Sequence, residues 1–221
     1  MEVFMTEIMK QRHSVRQYSD QEIEPEKQIV LNELIENINQ KTELHIQIFY
    51  NEPKCFDSMM AHYGKFTGVK NYIALVGKKS KDLDENLGYY GQEIVLKAQE
   101  LGLNSCWVAM THGKSKAIIN AGEKQVCLIS LGYGNTNGIT HKNKSLQEIS
   151  NYKQGMPQWF LDGIEAALLA PTAMNQQKFF FELQSDESVK LYCGKGFYTK
   201  LDLGIVKYHF ENVSGKKVLS I

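Results

Sequence analysis

The chain has 221 residues, 43% of them apolar, which suffices for a well-buried core and places it between one large domain and two small ones. Lys plus Arg and Asp plus Glu both number 25, so no net field draws the protein to nucleic acid or an anionic membrane, and any cationic site must be local. Glu2 and Glu7 stand where a secretory leader would be basic, no apolar run approaches a membrane span, and Cys55, Cys106, Cys127 and Cys193 are dispersed without C-x-x-C, so a cytoplasmic protein with reduced, packing thiols and no zinc site is expected.

In chain order, the first unusual stretch is "KQRHSVRQYS", residues 10–19. Arg12 and Arg16 share a side whether the segment is helical, where i and i+4 are neighbours, or extended, where even spacings share a face. Guanidinium forks bind phosphate oxygens bidentately, and His13 and Ser14 add short-range donors suited to a phosphate or a polyol chain. A solvated basic turn is the alternative reading of the same pentapeptide.

Leu31, Leu34, Ile35 and Ile38 then recur at helical spacing after Pro25, which predicts a helix to about Asn39. "LHIQIFY" alternates Leu44, Ile46, Ile48 and Tyr50 as a half-buried strand does, and "NYIALVG" around residue 73 reads as a fully buried one. Leu87, Tyr90, Gly91, Ile94, Ala98 and Leu101 predict a long helix that stops at Gly102. "QVCLISLGYG" follows as a strand running into a glycine-rich loop. The "GYGNTNG" there has G-x-G-x-x-x-G spacing and no apolar helix after it, so a dinucleotide fingerprint is rejected. Beyond it, Lys142 and Lys144 alternate in an extended tail and could add charge to the arginine site, although exposed lysines are the ordinary reading.

From about residue 151 the element order is replayed in shorter form: a helix carrying Phe160, Ile164, Ala167 and Leu168, the strands "KFFFEL" and "VKLYC", a helix around "LDLGIVKYHF", and a last strand "KKVLSI". Leu87-Gly88 and Leu203-Gly204 echo each other in register. A degenerate duplication is therefore expected, with halves 1–150 and 151–221 forming one compact unit. Between the helix and "KFFFEL" lies "APTAMNQQ", residues 170–177, in which Pro171 stiffens the backbone, Thr172 offers a hydroxyl, and Asn175 and Gln177 offer donors and acceptors suited to the edge of a polar ring. An ordinary loop with exposed amides is equally compatible with it. No H-E-x-x-H, G-x-S-x-G or P-loop appears and the six histidines are scattered, so no metal site is expected, and the lack of a nucleophile is what one expects where a bound cofactor carries the reaction.

In combination, "RHSVRQY", "GLNSCWVAM", "LGYGN" with "HKNKSLQEI", and "APTAMNQQ" resemble the nitroreductase family of FMN-dependent oxidoreductases. The resemblance implies an α+β fold of antiparallel and mixed sheets packed with helices. It implies that Arg12, His13, Ser14, Arg16, Lys142 and Lys144 hold the FMN phosphate and ribityl chain. Ala170, Pro171, Thr172, Ala173, Asn175 and Gln177 would correspond to the family's ring-lining loop, and the loop after Trp107 would bring Ala109 and Met110 past the ring. The order departs from ordinary members, whose proline-asparagine loop comes early in the chain. Those members are homodimers that build each site across the interface, so the resemblance is to the single-chain, pseudo-dimeric branch. One site per chain is implied, because "NYKQGMPQ" has no arginine pair and "NQKTELHIQ" no proline-asparagine loop. A monomer is expected, with a homodimer as the alternative.

The activity so implied is transfer of a hydride from NADH or NADPH to the flavin N5, followed by electron transfer to a nitroaromatic or quinone acceptor with ping-pong kinetics, with no side chain serving as acid or base. Two other classes stay open. A flavin-binding or flavin-storing protein would block the ring with Met110, Met174 or an aromatic, and a phosphate-binding module would take no flavin.

Overall fold

The computed structural model describes residues 2–221, with side chains from Met5 onward. In chain order the elements are α1 (Glu2–Gln11), α2 (Pro25–Lys41), β1 (Gln47–Phe49), α3 (Met59–Tyr63), β2 (Asn71–Lys78), α4 (Leu83–Glu100), β3 (Asn104–Val108) and β4 (Glu123–Gly132). They continue with α5 (Leu146–Ile149), α6 (Gln158–Leu168), β5 (Phe179–Leu183), β6 (Val189–Cys193), α7 (Thr199–Ser214) and β7 (Val218–Ser220). The fold is α+β, as expected. Helices α1, α3 and α5 and strand β3 go beyond the sequence reading.

Two compact units emerge, one of residues 2–11, Asp84–Glu93 and Thr140–Ile221, the other of Arg12–Leu83 and Ile94–Ile139. The first therefore gathers segments from both sides of residue 150.

In the second unit the strands form an antiparallel sheet of order β1-β2-β4-β3. Strand β2 is buried from Asn71 to Gly77, which explains its unbroken apolar run: both faces are covered. Helix α2 begins on Pro25, whose missing N–H costs nothing in a first turn, and buries Leu31, Ile35 and Ile38. Strand β1 is shorter than the expected 44–50 strand because the Asn39 amide takes both backbone groups of Ile46, donating to its carbonyl at 2.8 Å and accepting from its N–H at 2.9 Å. A core of Val15, Tyr18, Phe56, Phe66, Tyr72 and Cys106 lies beneath the 12–18 segment.

In the first unit β5 pairs antiparallel with β6, and β6 parallel with β7. Phe181 stacks on Phe210 with ring centroids 4.6 Å apart, and Gly163 on α6 leaves room for the Phe210 ring, which a methyl group there would meet at 2.6 Å. Buried His209 on α7 donates from Nδ1 to the Ala166 carbonyl at 2.9 Å, which leaves Nε2 to accept from the Gln92 amide at 2.8 Å.

Helices α4 and α7 touch through their backbones. A Cβ on Gly88 would lie 2.0 Å from the Leu201 carbonyl oxygen, and a Cβ on Gly204 would lie 1.9 Å from that of Glu85. The relation is reciprocal: Gly88 meets residue 201 and the nitrogen of residue 205, Gly204 meets residue 85 and the nitrogen of residue 89. The Leu-Gly pairs that echo each other in sequence are thus the contact points of one helix crossing. Among the described residues no helix is long and apolar enough to cross a membrane, and Cys55, Cys106 and Cys127 are buried and form no disulfide.

Candidate functional site

The structure gathers the candidate residues into two groups, one in each unit. In the second unit the chain leaves α1 and runs extended beside β3: Ser14 bridges Ser105 in parallel register, and the Val15 N–H donates to the Ser105 carbonyl at 3.0 Å. In an extended strand residues 12, 14 and 16 fall on one side and Val15 turns into the core. The segment is braced along its length. Thr67 N–H donates to the Arg16 carbonyl, Tyr18 N–H donates to the Thr67 carbonyl, and the Tyr18 hydroxyl bonds Val15 O at 2.8 Å and Ser130 Oγ at 2.9 Å.

The glycine-rich loop rejected as a dinucleotide site supplies the remaining support. Gly134 N–H donates to the Asn104 side chain, Asn135 N–H to the Gln17 carbonyl, and Gly138, at φ 74°, leaves space that His13 occupies. A side chain at Gly138 would be strained by its backbone and would meet His13 Cβ at 2.8 Å.

The two arginines differ in environment. Arg16 is exposed, with its guanidinium 5.9 Å from the Phe66 ring centroid. Arg12 is 2% exposed, and its buried Nε has no hydrogen-bond partner. Burial lowers the Arg12 pKa to about 10, with the neighbouring Cys106 thiol opposing that shift slightly, so the group is still cationic at pH 7. The same burial raises the Cys106 thiol, against the pull of Arg16, a bond with Ser14 and the charge of Arg12. An uncompensated buried guanidinium is costly, and an anion is what relieves it. This donor set, a buried arginine beside exposed Ser14 and Arg16, fits a phosphate. At the far end of β3 come Ala109 and Met110, the latter 70% exposed.

The first unit brings Lys142 and Lys144 together with the 170–177 loop. Gln177 is buried and its amide is fully engaged: Oε1 accepts from Lys144 N–H at 3.0 Å, and Nε2 donates to the Lys142 carbonyl and to Asn175 Oδ1, both at 2.8 Å. Asn175 Nδ2 also donates to the Lys142 carbonyl at 2.7 Å, and Lys144 Nζ to the Gln177 carbonyl at 2.8 Å. Thr172 Oγ1 accepts from Gln177 N–H at 3.1 Å. These amides and the Lys144 ammonium thus shape the loop, while the Lys142 side chain and Met174 point outward into solvent.

The loop is held in a costly conformation. Met174, Asn175 and Gln177 all have positive φ, at 51°, 54° and 44°. Pro171 precedes a 3₁₀ turn over Ala173–Asn175, and Ala173 N–H donates to Asp202 Oδ1 at 2.9 Å. Phe66, Cys106, Gln176 and Asp202 belong to these two groups and escaped the sequence reading. Of these only Cys106 was anticipated as a packing thiol, and it is buried.

A family model described as "Putative TM nitroreductase" matches residues 5–214. A solved "putative nitroreductase" from Thermotoga maritima is similar at TM-score 0.69 and 20% identity, over 95% of this chain and 82% of that one. A "putative NADH dehydrogenase/NAD(P)H nitroreductase" from Bacteroides thetaiotaomicron is similar at TM-score 0.52 and 20% identity, over 68% of this chain and 98% of its own. A "putative nitroreductase in complex with FMN" from Desulfovibrio desulfuricans is similar at TM-score 0.52 and 17% identity, over 69% of this chain and 98% of its own. No curated protein matches the chain.

Proposed function

Since the matched model spans nearly its whole length, the chain belongs to the "Putative TM nitroreductase" family, and from that premise we propose that it is an FMN-dependent oxidoreductase that passes electrons from NADH or NADPH to a nitroaromatic, quinone or similar small acceptor. The observation that carries the reading is the buried Arg12 Nε without a partner, beside exposed Ser14 and Arg16.

When bound, FMN supplies the redox chemistry, taking a hydride and releasing electrons to the acceptor. The protein's part is to bind and orient. Arg12, Ser14 and Arg16 anchor the phosphate, with His13 packed behind them against Gly138, and Lys142 and Lys144 add positive charge. Backbone N–H groups near Ala109 and the 171–177 bend, through Pro171, Thr172 and Ala173 and with its shape set by the Asn175 and Gln177 amides, would line the ring and stabilise negative charge that develops on it.

We further read the chain as a fused pair of unequal halves, 1–150 and 151–221, that works in the cytoplasm as a monomer. The two relatives that match about two thirds of this chain do so over 98% of their own, which leaves a remainder here to supply what a second subunit would.

The purified protein is expected to be yellow, or to become so with added FMN, to bleach with NADH or NADPH, and to regain its colour with a quinone. A protein that stays colourless in excess FMN would refute the proposal. One that binds FMN but is never bleached would be a storage protein.

A further inference from the structure

We propose that Asp202 is the positioning residue that holds the 172–177 bend in its ligand-binding shape; the inference rests on the flavin reading above. Asp202 lies in the first turn of α7 and is 4% exposed. Its two oxygens divide between the two ends of the bend: Oδ1 accepts the Ala173 N–H at 2.9 Å, and Oδ2 accepts the Gln176 amide at 2.7 Å. The same Gln176 amide donates to the Phe197 carbonyl at 2.9 Å, so the carboxylate ties the bend to the turn that opens α7.

That turn is itself unusual. Tyr198, the residue before the helix, has φ 58°, so among the described residues four of the seven non-glycine residues with positive φ lie in the two segments that Asp202 joins. Left-handed conformations at Met174, Asn175, Gln177 and Tyr198 persist only where surrounding bonds over-determine them. A carboxylate is suited to that task because it accepts at both oxygens. An amide or a protonated carboxyl would turn a donor toward Ala173 N–H or Gln176 Nε2.

Among the described residues no cation pairs with the carboxylate. The groups that act on it are burial, which raises it to about 6, and the Ala173 and Gln176 donors, which lower it less. Lys178, the residue after the bend, donates from Nζ to the Lys195 carbonyl at 3.0 Å, and Lys200 lies two residues before Asp202 on α7. A buried anion kept without a cation, in a segment of strained backbone, marks a position retained for geometry.

The test is amide hydrogen exchange over 170–178, corrected for intrinsic rates, on the full-length protein and on Asp202→Asn. Protection at Ala173 is expected to fall about tenfold in the variant at pH 7. In the wild type it is expected to fall toward the variant's level as pH drops below about 6, and Asp202→Glu should restore part of it. FMN affinity should fall by about tenfold in Asp202→Asn, and the wild-type advantage should vanish by pH 5. Because the FMN phosphate also titrates near pH 6, the difference between the two proteins is the quantity read. Unchanged Ala173 protection in a folded Asp202→Asn overturns the inference. If that variant does not fold, wild-type protection that is flat from pH 8 to 5 overturns it equally. Absence of FMN binding by the wild type would overturn the flavin reading, with the exchange result judging Asp202 separately.

Discussion

Gly88→Ala and Gly204→Ala are each expected to destabilise the protein by about 3 kcal/mol, or about 6–12 °C in Tm. Alanine ordinarily favours a helix over glycine by about 1 kcal/mol, so on an open helix face both changes would be mildly stabilising. Here the added methyl would enter a carbonyl oxygen of the crossing helix, at 2.0 Å from Leu201 for Gly88 and 1.9 Å from Glu85 for Gly204. Backbone cannot rotate away as a side chain can, so α4 and α7 must part, and the Gln92–His209 hydrogen bond and the Tyr89–Tyr208 ring contact between them part too. The reciprocity makes a sharper demand. If the crossing is the axis of an internal duplication, the two costs should agree within about 0.5 kcal/mol, and the double variant should cost less than their sum, because the helices need separate only once. Thermal or urea unfolding of the three variants measures this, and one neutral single variant would contradict the symmetric crossing.

The same glycines show how far a sequence can be read. Leu87-Gly88 and Leu203-Gly204 stood out as a local echo, but nothing in either stretch says that they face one another, since that is a property of two helices far apart in the chain. Elements with a local cause were legible: β2 from an apolar run covered on both faces, α2 from Pro25 and its stripe, the end of α4 from Gly102 at φ 78°. Arg12 and Arg16 were legible as a pair because even spacing survives any local conformation, whereas their unequal burial depends on β3 and Cys106.

Residues 171–177 were recognisable by composition, but the use of their amides was not. Gln177 and Asn175 look like ring readers in isolation, and their partners, the backbone groups of Lys142 and Lys144, lie on a distant segment. Asp202 left no signal at all, since an acidic residue in the first turn of a helix is the commonplace response to the helix dipole. Tertiary hydrogen bonds, which local pattern cannot carry, account for each of these differences.

Replacing Arg12 with Met is expected to raise the stability of the flavin-free protein while cutting FMN affinity by about 10–100-fold. Lowering an arginine from 12.5 to about 10 means that the folded state bears its charge at a cost. The sign is simple. Both folded and unfolded arginine are protonated below pH 10, so the cost is present in full at pH 7 and does not vary across the physiological range. At about 1.4 kcal/mol per unit this is on the order of 3 kcal/mol. Methionine fills the aliphatic volume without the charge, so a gain of ~2 kcal/mol, about 4–8 °C, should appear in unfolding of the flavin-free variant.

The same charge is what a phosphate would meet, and two further measurements isolate that role. Riboflavin lacks the phosphate, so its affinity should be nearly unchanged in Arg12→Met; an equal loss for riboflavin and FMN would show that Arg12 does not anchor the phosphate. Salt separates the two arginines, because exposed Arg16 is screened and buried Arg12 is not. Arg16→Gln should therefore weaken FMN binding most at low ionic strength and little at high, whereas the Arg12→Met loss should persist at both. A residue that weakens the empty fold and strengthens only the loaded one is retained for its ligand, and a flavin-free Arg12→Met less stable than the wild type would remove that argument.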